Sequence, residues 1–99
     1  HNEFRIYNAY NYPNPFSTFT QFAFEITQNA DIKLDVYTLG GRRIKSFDQS
    51  NISPGYHTIE WDGMDTYGGQ IANGVYFFRL KAIGDETTET YIGRCAKYQ

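Results

Sequence analysis

The chain has 99 residues, of which 40% are hydrophobic and 18% aromatic, and a net charge of −2. That length supports one hydrophobic core, burying roughly 65% of the unfolded surface, and not two; the apolar content is too high for a disordered segment. The longest basic cluster is Arg42-Arg43 with Lys45 nearby, which excludes the electrostatic footprint of a nucleic-acid binder, and no apolar run approaches the ~20 residues of a membrane span.

His1-Asn2-Glu3-Phe4-Arg5 lacks the basic start and apolar stretch of a signal peptide; so abrupt an opening is expected of a piece of a longer polypeptide. The first strand is expected near residues 3–8, so that 1–10 forms a lead-in segment or first edge strand to a domain over 11–99. Asn11-Tyr12-Pro13-Asn14-Pro15-Phe16 follows. Pro13 and Pro15 fix φ and bias the residues before them toward extended geometry, which predicts a rigid segment delivering the chain into the next strand.

From there the period is two, not 3.6. Phe22, Phe24 and Ile26 alternate with Gln21, Ala23 and Glu25, and Ile32, Leu34 and Val36 with Lys33, Asp35 and Tyr37. Ile59 and Trp61 alternate with Thr58 and Glu60, and Tyr76, Phe78, Leu80 and Ala82 with Val75, Phe77, Arg79 and Lys81. Each series sends one set of side chains to a core and the other toward solvent. Asn29-Ala30-Asp31, Gly40-Gly41, Ser53-Pro54-Gly55, Asp62-Gly63, Gly68-Gly69, Asn73-Gly74 and Gly84-Asp85 supply the turns. Strands are predicted at 3–8, 18–27, 31–38, 42–48, 56–61, 74–83 and 87–94. Seven short strands at this spacing specify an all-β, immunoglobulin-like antiparallel β-sandwich. Phe22, Phe24, Ile26, Ile32, Leu34, Val36, Ile44, Ile59, Trp61, Tyr76, Phe78 and Leu80 are its expected core.

Chemistry-bearing residues are sparse. Cys95 is the only cysteine, so an internal disulfide and a thiolate-rich zinc site are excluded. As a nucleophile it would need a base, and His1 and His57 are the only histidines; a small residue near a strand end is the simpler reading. Trp61 reads either as a stacking platform for a ligand or, sharing the phase of Ile59, as the filling of the sandwich; the second is favoured for a large aromatic in a small core. Asp62-Gly63-Met64-Asp65-Thr66-Tyr67-Gly68 faintly resembles a calcium loop, which makes Asp62 and Asp65 weak metal candidates, but Met64 and Thr66 interrupt the oxygen ligands and no acid follows. Turn formation is the plainer account, and no metal or cofactor is expected. His57 lacks a partner histidine, and Glu60 falls on the opposite strand face. Glu25, Glu60, Asp62 and Asp65 could supply a carboxylate pair for glycoside hydrolysis, yet acids scattered over turns are ordinarily solvated. Gly68-Gly69 is followed by no helix that would cradle phosphate. No catalytic residue is therefore expected.

Tyr76, two residues after Gly74 at a strand start, has the placement of a tyrosine corner, whose hydroxyl bonds backbone a few residues upstream. Trp61, Gly74, Tyr76, Pro13 and Pro15 are thus read as structural. Tyr10, Tyr12, Tyr37, Tyr67 and Tyr98 fall in loops, termini or outward strand phase; they form a carbohydrate- or protein-binding face, or they pack under loops or against a neighbouring domain.

The Asn11-to-Phe16 segment resembles the opening motif of the immunoglobulin-like domains related to the flagellar hook-capping protein FlgD, and of many C-terminal sorting domains of type IX secretion cargo. The resemblance continues through Val36-Tyr37-Thr38-Leu39-Gly40-Gly41-Arg42-Arg43-Ile44, through Gly55-Tyr56-His57-Thr58-Ile59-Glu60-Trp61-Asp62-Gly63 with Asp65 and Gly68, and through Asn73-Gly74-Val75-Tyr76-Phe77-Phe78-Arg79-Leu80. The ending, Tyr91 to Gln99, departs from the aliphatic last strand usual in sorting domains, although Lys97 is present. The resemblance implies a non-catalytic C-terminal accessory domain of a larger exported protein, secreted by or held on the surface of a Gram-negative bacterium. Its implied partners are secretion or surface-attachment machinery and the parent protein's upstream domains, met through an exposed last strand or sheet edge. The alternatives are a carbohydrate- or protein-binding module or spacer, with polysaccharide as partner, and a domain of a flagellar-type cap scaffold.

Overall fold

Alternating side chains leave each strand with one apolar face, and two sheets stacked face to face bury all of them at once. The computed structural model describes residues 4–99, so Glu3, where the first strand was expected to begin, lies outside the described residues, as does His1. Seven strands are present: β1 (Ile6–Tyr12), β2 (Thr20–Ile26), β3 (Ala30–Thr38), β4 (Arg43–Ile52), β5 (Gly55–Trp61), β6 (Gly74–Ile83) and β7 (Thr88–Lys97). They form a three-stranded sheet, β1-β2-β5, and a four-stranded sheet, β4-β3-β6-β7. Every neighbouring pair is antiparallel.

All twelve expected core residues are buried, joined by Phe16, Ala30, Ala82 and Cys95. Rings carry the contact between sheets. Phe22 of β2 lies 4.9 Å from Phe78 of β6 and 6.1 Å from Trp61, which in turn lies 5.3 Å from Phe16. Trp61 is 1% exposed, and its Nε1 donates to the Met64 carbonyl at 2.8 Å. Phe78 has room because the residue opposite it on β7 is Gly93: a Cβ there would stand 2.5 Å from the Phe78 ring.

Three strands differ by three residues or more from an expected limit, the others by two at most. β1 lies later because the register shifts between Tyr7 and Tyr10, where Asn8 adopts φ 53°. This bulge breaks the period-two pattern. β4 continues to Ile52 because Asp48, Gln49 and Ile52 still pair with β3, a ladder that needs no apolar side chains. β7 runs to Lys97, beyond the expected 94, because its end is held on both sides: β6 pairs on one, and Phe16 forms a parallel bridge to Lys97 on the other. Between β1 and β2 the Tyr12-Pro13 and Asn14-Pro15 peptide bonds are cis. The β3–β4 hairpin closes with Gly41 at φ 94°, and the Thr38 hydroxyl accepts the Arg42 amide.

Two residues assigned to solvent by alternation are buried. Ala23 is covered on the outer face of β2, between paired Tyr10 and Thr58. Asp35 is buried outside the core, under two arginines described below.

Trp61→Ala removes the ring that joins Phe16 to Phe22 and leaves a cavity, so it is expected to cost about 3–5 kcal/mol. Urea unfolding should show that as a large part of the ~5–15 kcal/mol available to such a domain.

Candidate functional site

The outer face of the three-stranded sheet is built by the β1 bulge. On β1, Ile6, Ala9 and Asn11 turn inward while Tyr7, Tyr10 and Tyr12 turn out, although Tyr7 and Tyr10 are three residues apart. Tyr7 pairs with Glu25, Tyr10 with Ala23 and Tyr12 with Gln21; across β2, Tyr56 of β5 pairs with Glu25 and Glu60 with Gln21. The hydroxyls of Tyr10 and Tyr56 meet at 2.9 Å above β2, and this hydrogen bond is the main reason the Tyr56 phenol titrates above its usual range. Asn8 Nδ2 donates to Glu25 Oε1 at 3.3 Å. Four exposed tyrosines, two of them joined through their hydroxyls, thus share one sheet face.

The second feature is the edge of the last strand. The Phe16 amide donates to the Ala96 carbonyl and the Tyr98 amide to the Phe16 carbonyl, each at 2.9 Å. Asn14 extends this pairing with a side-chain amide that imitates a peptide group: Oδ1 accepts the Ala96 amide and Nδ2 donates to the Arg94 carbonyl. The supporting turn is fixed by Thr20, whose hydroxyl donates to the Pro13 carbonyl at 2.9 Å. Among the described residues, no strand pairs with β7 on that side from Thr88 to Gly93. The edge is therefore half closed and half open.

On the outer face of the other sheet, Asp35 is 0% exposed and meets Arg79 at 3.1 Å and Arg43 at 3.8 Å; Arg79 also lies over the Tyr37 ring. The two long arginines on neighbouring strands fold inward over the short acid, which alternation alone could not reveal.

The remaining candidates are occupied locally. Asp62 Oδ1 accepts the Met64 amide, and Asp65 Oδ1 accepts the amides of Tyr67 and Gly69, so both acids shape the 62–70 turn. No three His, Cys, Asp or Glu side chains gather as a metal site among the described residues. Glu25 and Glu60 are separated by the 21-to-25 stretch of β2, about 13 Å by strand rise, beyond the roughly 5–9.5 Å of a glycosidase pair. His57 Nε2 bonds the Ser53 carbonyl at 2.7 Å, and its ring packs on Phe24; a carbonyl only accepts, so that nitrogen carries the proton. The Tyr76 hydroxyl donates to the Ala72 carbonyl, four residues upstream. Cys95 is buried, and desolvation pushes its thiol up to about 12.

Two stacked antiparallel sheets with hairpins within each sheet, crossings between them and a tyrosine bonded back to its preceding loop define an immunoglobulin-like sandwich domain. The chain belongs to the FlgD Ig-like domain family, whose model matches residues 14–86. Solved structures share the fold. PorU from Porphyromonas gingivalis, solved in a dimeric latent form, superposes with a TM-score of 0.79 at 17% identity over 98% of this chain and 10% of PorU. FlgD from P. aeruginosa gives 0.67 at 18% identity over 79% of this chain and 60% of that one. PorZ, a surface component of the type-IX secretion system of Porphyromonas gingivalis, gives 0.59 at 16% identity over 93% of this chain and 12% of PorZ. The chain thus resembles a small part of PorU and PorZ. No curated protein matches it. Among the described residues no helix is long and apolar enough to cross a membrane.

Sequence reading placed Tyr10 and Tyr12 among the outward tyrosines but did not single out Tyr7 and Tyr56, nor Asn14 as an edge clamp. The available signal was Tyr7-Asn8-Ala9-Tyr10-Asn11-Tyr12, in which an asparagine, tolerant of left-handed φ, marks the bulge.

Two measurements test the buried groups. Arg79→Met leaves the Asp35 carboxylate buried with only the longer Arg43 contact and is expected to cost about 2–4 kcal/mol. Asp35→Asn, which lets both partly exposed arginines turn to water, should cost clearly less in the same unfolding assay. Cys95 has a raised folded pKa, so the native state holds its proton when the unfolded state has lost it. Stability should fall as pH rises from about 9 to 12, and Cys95→Val should flatten that slope.

Proposed function

We propose that this chain is a non-catalytic accessory domain of a larger exported Gram-negative protein, serving its secretion, cell-surface sorting or attachment. The observation that carries the reading is the half-open edge of β7. Thr88 to Gly93 offers unpaired backbone groups on its free side, while Asn14 and Phe16 hold the following residues in place. A partner strand added there would extend the four-stranded sheet, with Ile92 exposed beside it for side-chain recognition. Glu86 and Glu89 discourage indiscriminate pairing. Likeness to parts of PorU and PorZ supports the export setting, and the local hydrogen bonds of His57, Asp62 and Asp65 with the burial of Cys95 support a non-catalytic reading.

The test uses the full-length parent protein. Deleting this domain should leave the parent inside the cell envelope with its upstream domains folded, and Thr90→Lys with Ile92→Lys, which place charge along the free edge, should lower surface or medium levels several-fold without unfolding the domain. Normal export after deletion would overturn the sorting reading and leave a binding or spacer module.

A further inference from the structure

We propose that the outer face of the β1-β2-β5 sheet binds an extended, uncharged polysaccharide through Tyr7, Tyr10, Tyr12 and Tyr56. The proposal stands apart from the sorting reading, which rests on the free backbone edge of β7 in the other sheet.

The chemistry of the face selects the ligand. Its aromatic side chains are all tyrosines, and its aliphatic content is Ala23 alone, already covered. The rest are Gln21, Glu25, Thr58 and Glu60, all able to hydrogen-bond. A protein interface core shares the tyrosines but is depleted of carboxylates and surrounds its rings with apolar area; this face instead carries Glu25 and Glu60 and no exposed aliphatic side chain. A sugar chain presents what it lacks: C–H-lined faces that lie on the electron-rich face of an aromatic ring, edged by hydroxyls that bond amides, carboxylates and phenols.

Charge favours an uncharged chain over the acidic polymers. Strands β1, β2 and β5 contain no lysine or arginine, and the cations nearest the face are Arg5, just before β1, and Lys45, which shares a groove with Glu60; Lys33, Arg43, Arg79, Lys81, Arg94 and Lys97 lie on the strands of the other sheet. With Glu25 and Glu60 between the rings, a polyanion is repelled and an uncharged chain is not.

Geometry supplies the length and the preorganisation. Tyr7 to Tyr12 lies alongside the 21-to-25 stretch of β2, about 13 Å, enough for two to three successive sugar rings. The Asn8 bulge brings Tyr7 onto the face of Tyr10 and Tyr12, at a left-handed backbone angle that is uncommon for a residue other than glycine. The Tyr10–Tyr56 and Asn8–Glu25 hydrogen bonds hold side chains in place before any ligand arrives, which lowers the ordering cost of binding.

The experiment incubates the 99-residue chain with insoluble cellulose, chitin, xylan and mannan, with alginate beads as the anionic control, and measures depletion from solution. Retention on at least one uncharged polymer is expected, weaker on alginate. Tyr12→Ala and Tyr7→Ala should each reduce affinity about tenfold, equivalent to about 1.4 kcal/mol. Tyr67→Ala, at an exposed tyrosine of the 62–70 turn outside these three strands, should leave it unchanged. Circular dichroism and thermal midpoints keep folding and binding apart. Should an alanine variant unfold, Tyr12→Ser and Tyr10→Phe take its place, the latter keeping the ring and losing the hydroxyl. No retention on any uncharged polymer, retention indifferent to the tyrosines, or preference for alginate would each overturn the proposal. Concentration-dependent self-association abolished by Tyr12→Ala would overturn it too, by assigning the face to a second copy of the chain.

Discussion

Phe16, Trp61, Phe22 and Phe78 form a chain of touching rings that runs from the β1–β2 connection, across the three-stranded sheet, into the four-stranded one. Each ring belongs to a different segment, so the sheets cannot slide without breaking several contacts at once. Small neighbours are what make the packing possible. Gly93 clears the space under Phe78, and Gly63, at φ 75°, faces Phe16 where a Cβ would stand 3.0 Å from the ring. Large rings and absent side chains therefore specify one another.

The outer faces of the two sheets have unlike characters. Along the chain the charges are mixed, with a net charge of only −2. Folding sorts them: basic side chains accumulate on the four-stranded sheet, where Arg79 and Arg43 close over Asp35, and the other sheet keeps tyrosines and glutamates. A near-neutral composition thus yields two electrostatically distinct surfaces on a molecule about 20 Å thick, enough for each to meet a different partner.

The two-sheet architecture was legible because a half-buried strand writes its fold into every second residue. Phe22 to Ile26, Ile32 to Val36 and Tyr76 to Ala82 did so without interruption. The same rule failed where something other than parity decided burial. Asp35 is enclosed by side chains from β4 and β6, which no local window contains. The Tyr7–Tyr10–Tyr12 row was hidden because the Asn8 bulge inserts a residue, and its completion by Tyr56 depends on β5 pairing beside β2, about thirty residues further along the chain. Asn14 could be seen as part of a motif, but its role requires Ala96 and Arg94, eighty or more positions away. Local periodicity therefore carries the core, and long-range pairing carries the surfaces.

The bridge between the Asn14–Phe16 segment and the end of β7 also has a mechanical meaning. The two segments run parallel and are joined by the Phe16–Ala96, Tyr98–Phe16, Ala96–Asn14 and Asn14–Arg94 hydrogen bonds. Tension applied to the two ends of the chain pulls these segments in opposite directions along their length. The bonds lie across that pull and are loaded together in shear, where an antiparallel hairpin pulled from its open end would release its bonds one after another. A domain stitched this way is stiff along the line between its two ends, and its sheets stay closed until several bonds give way together.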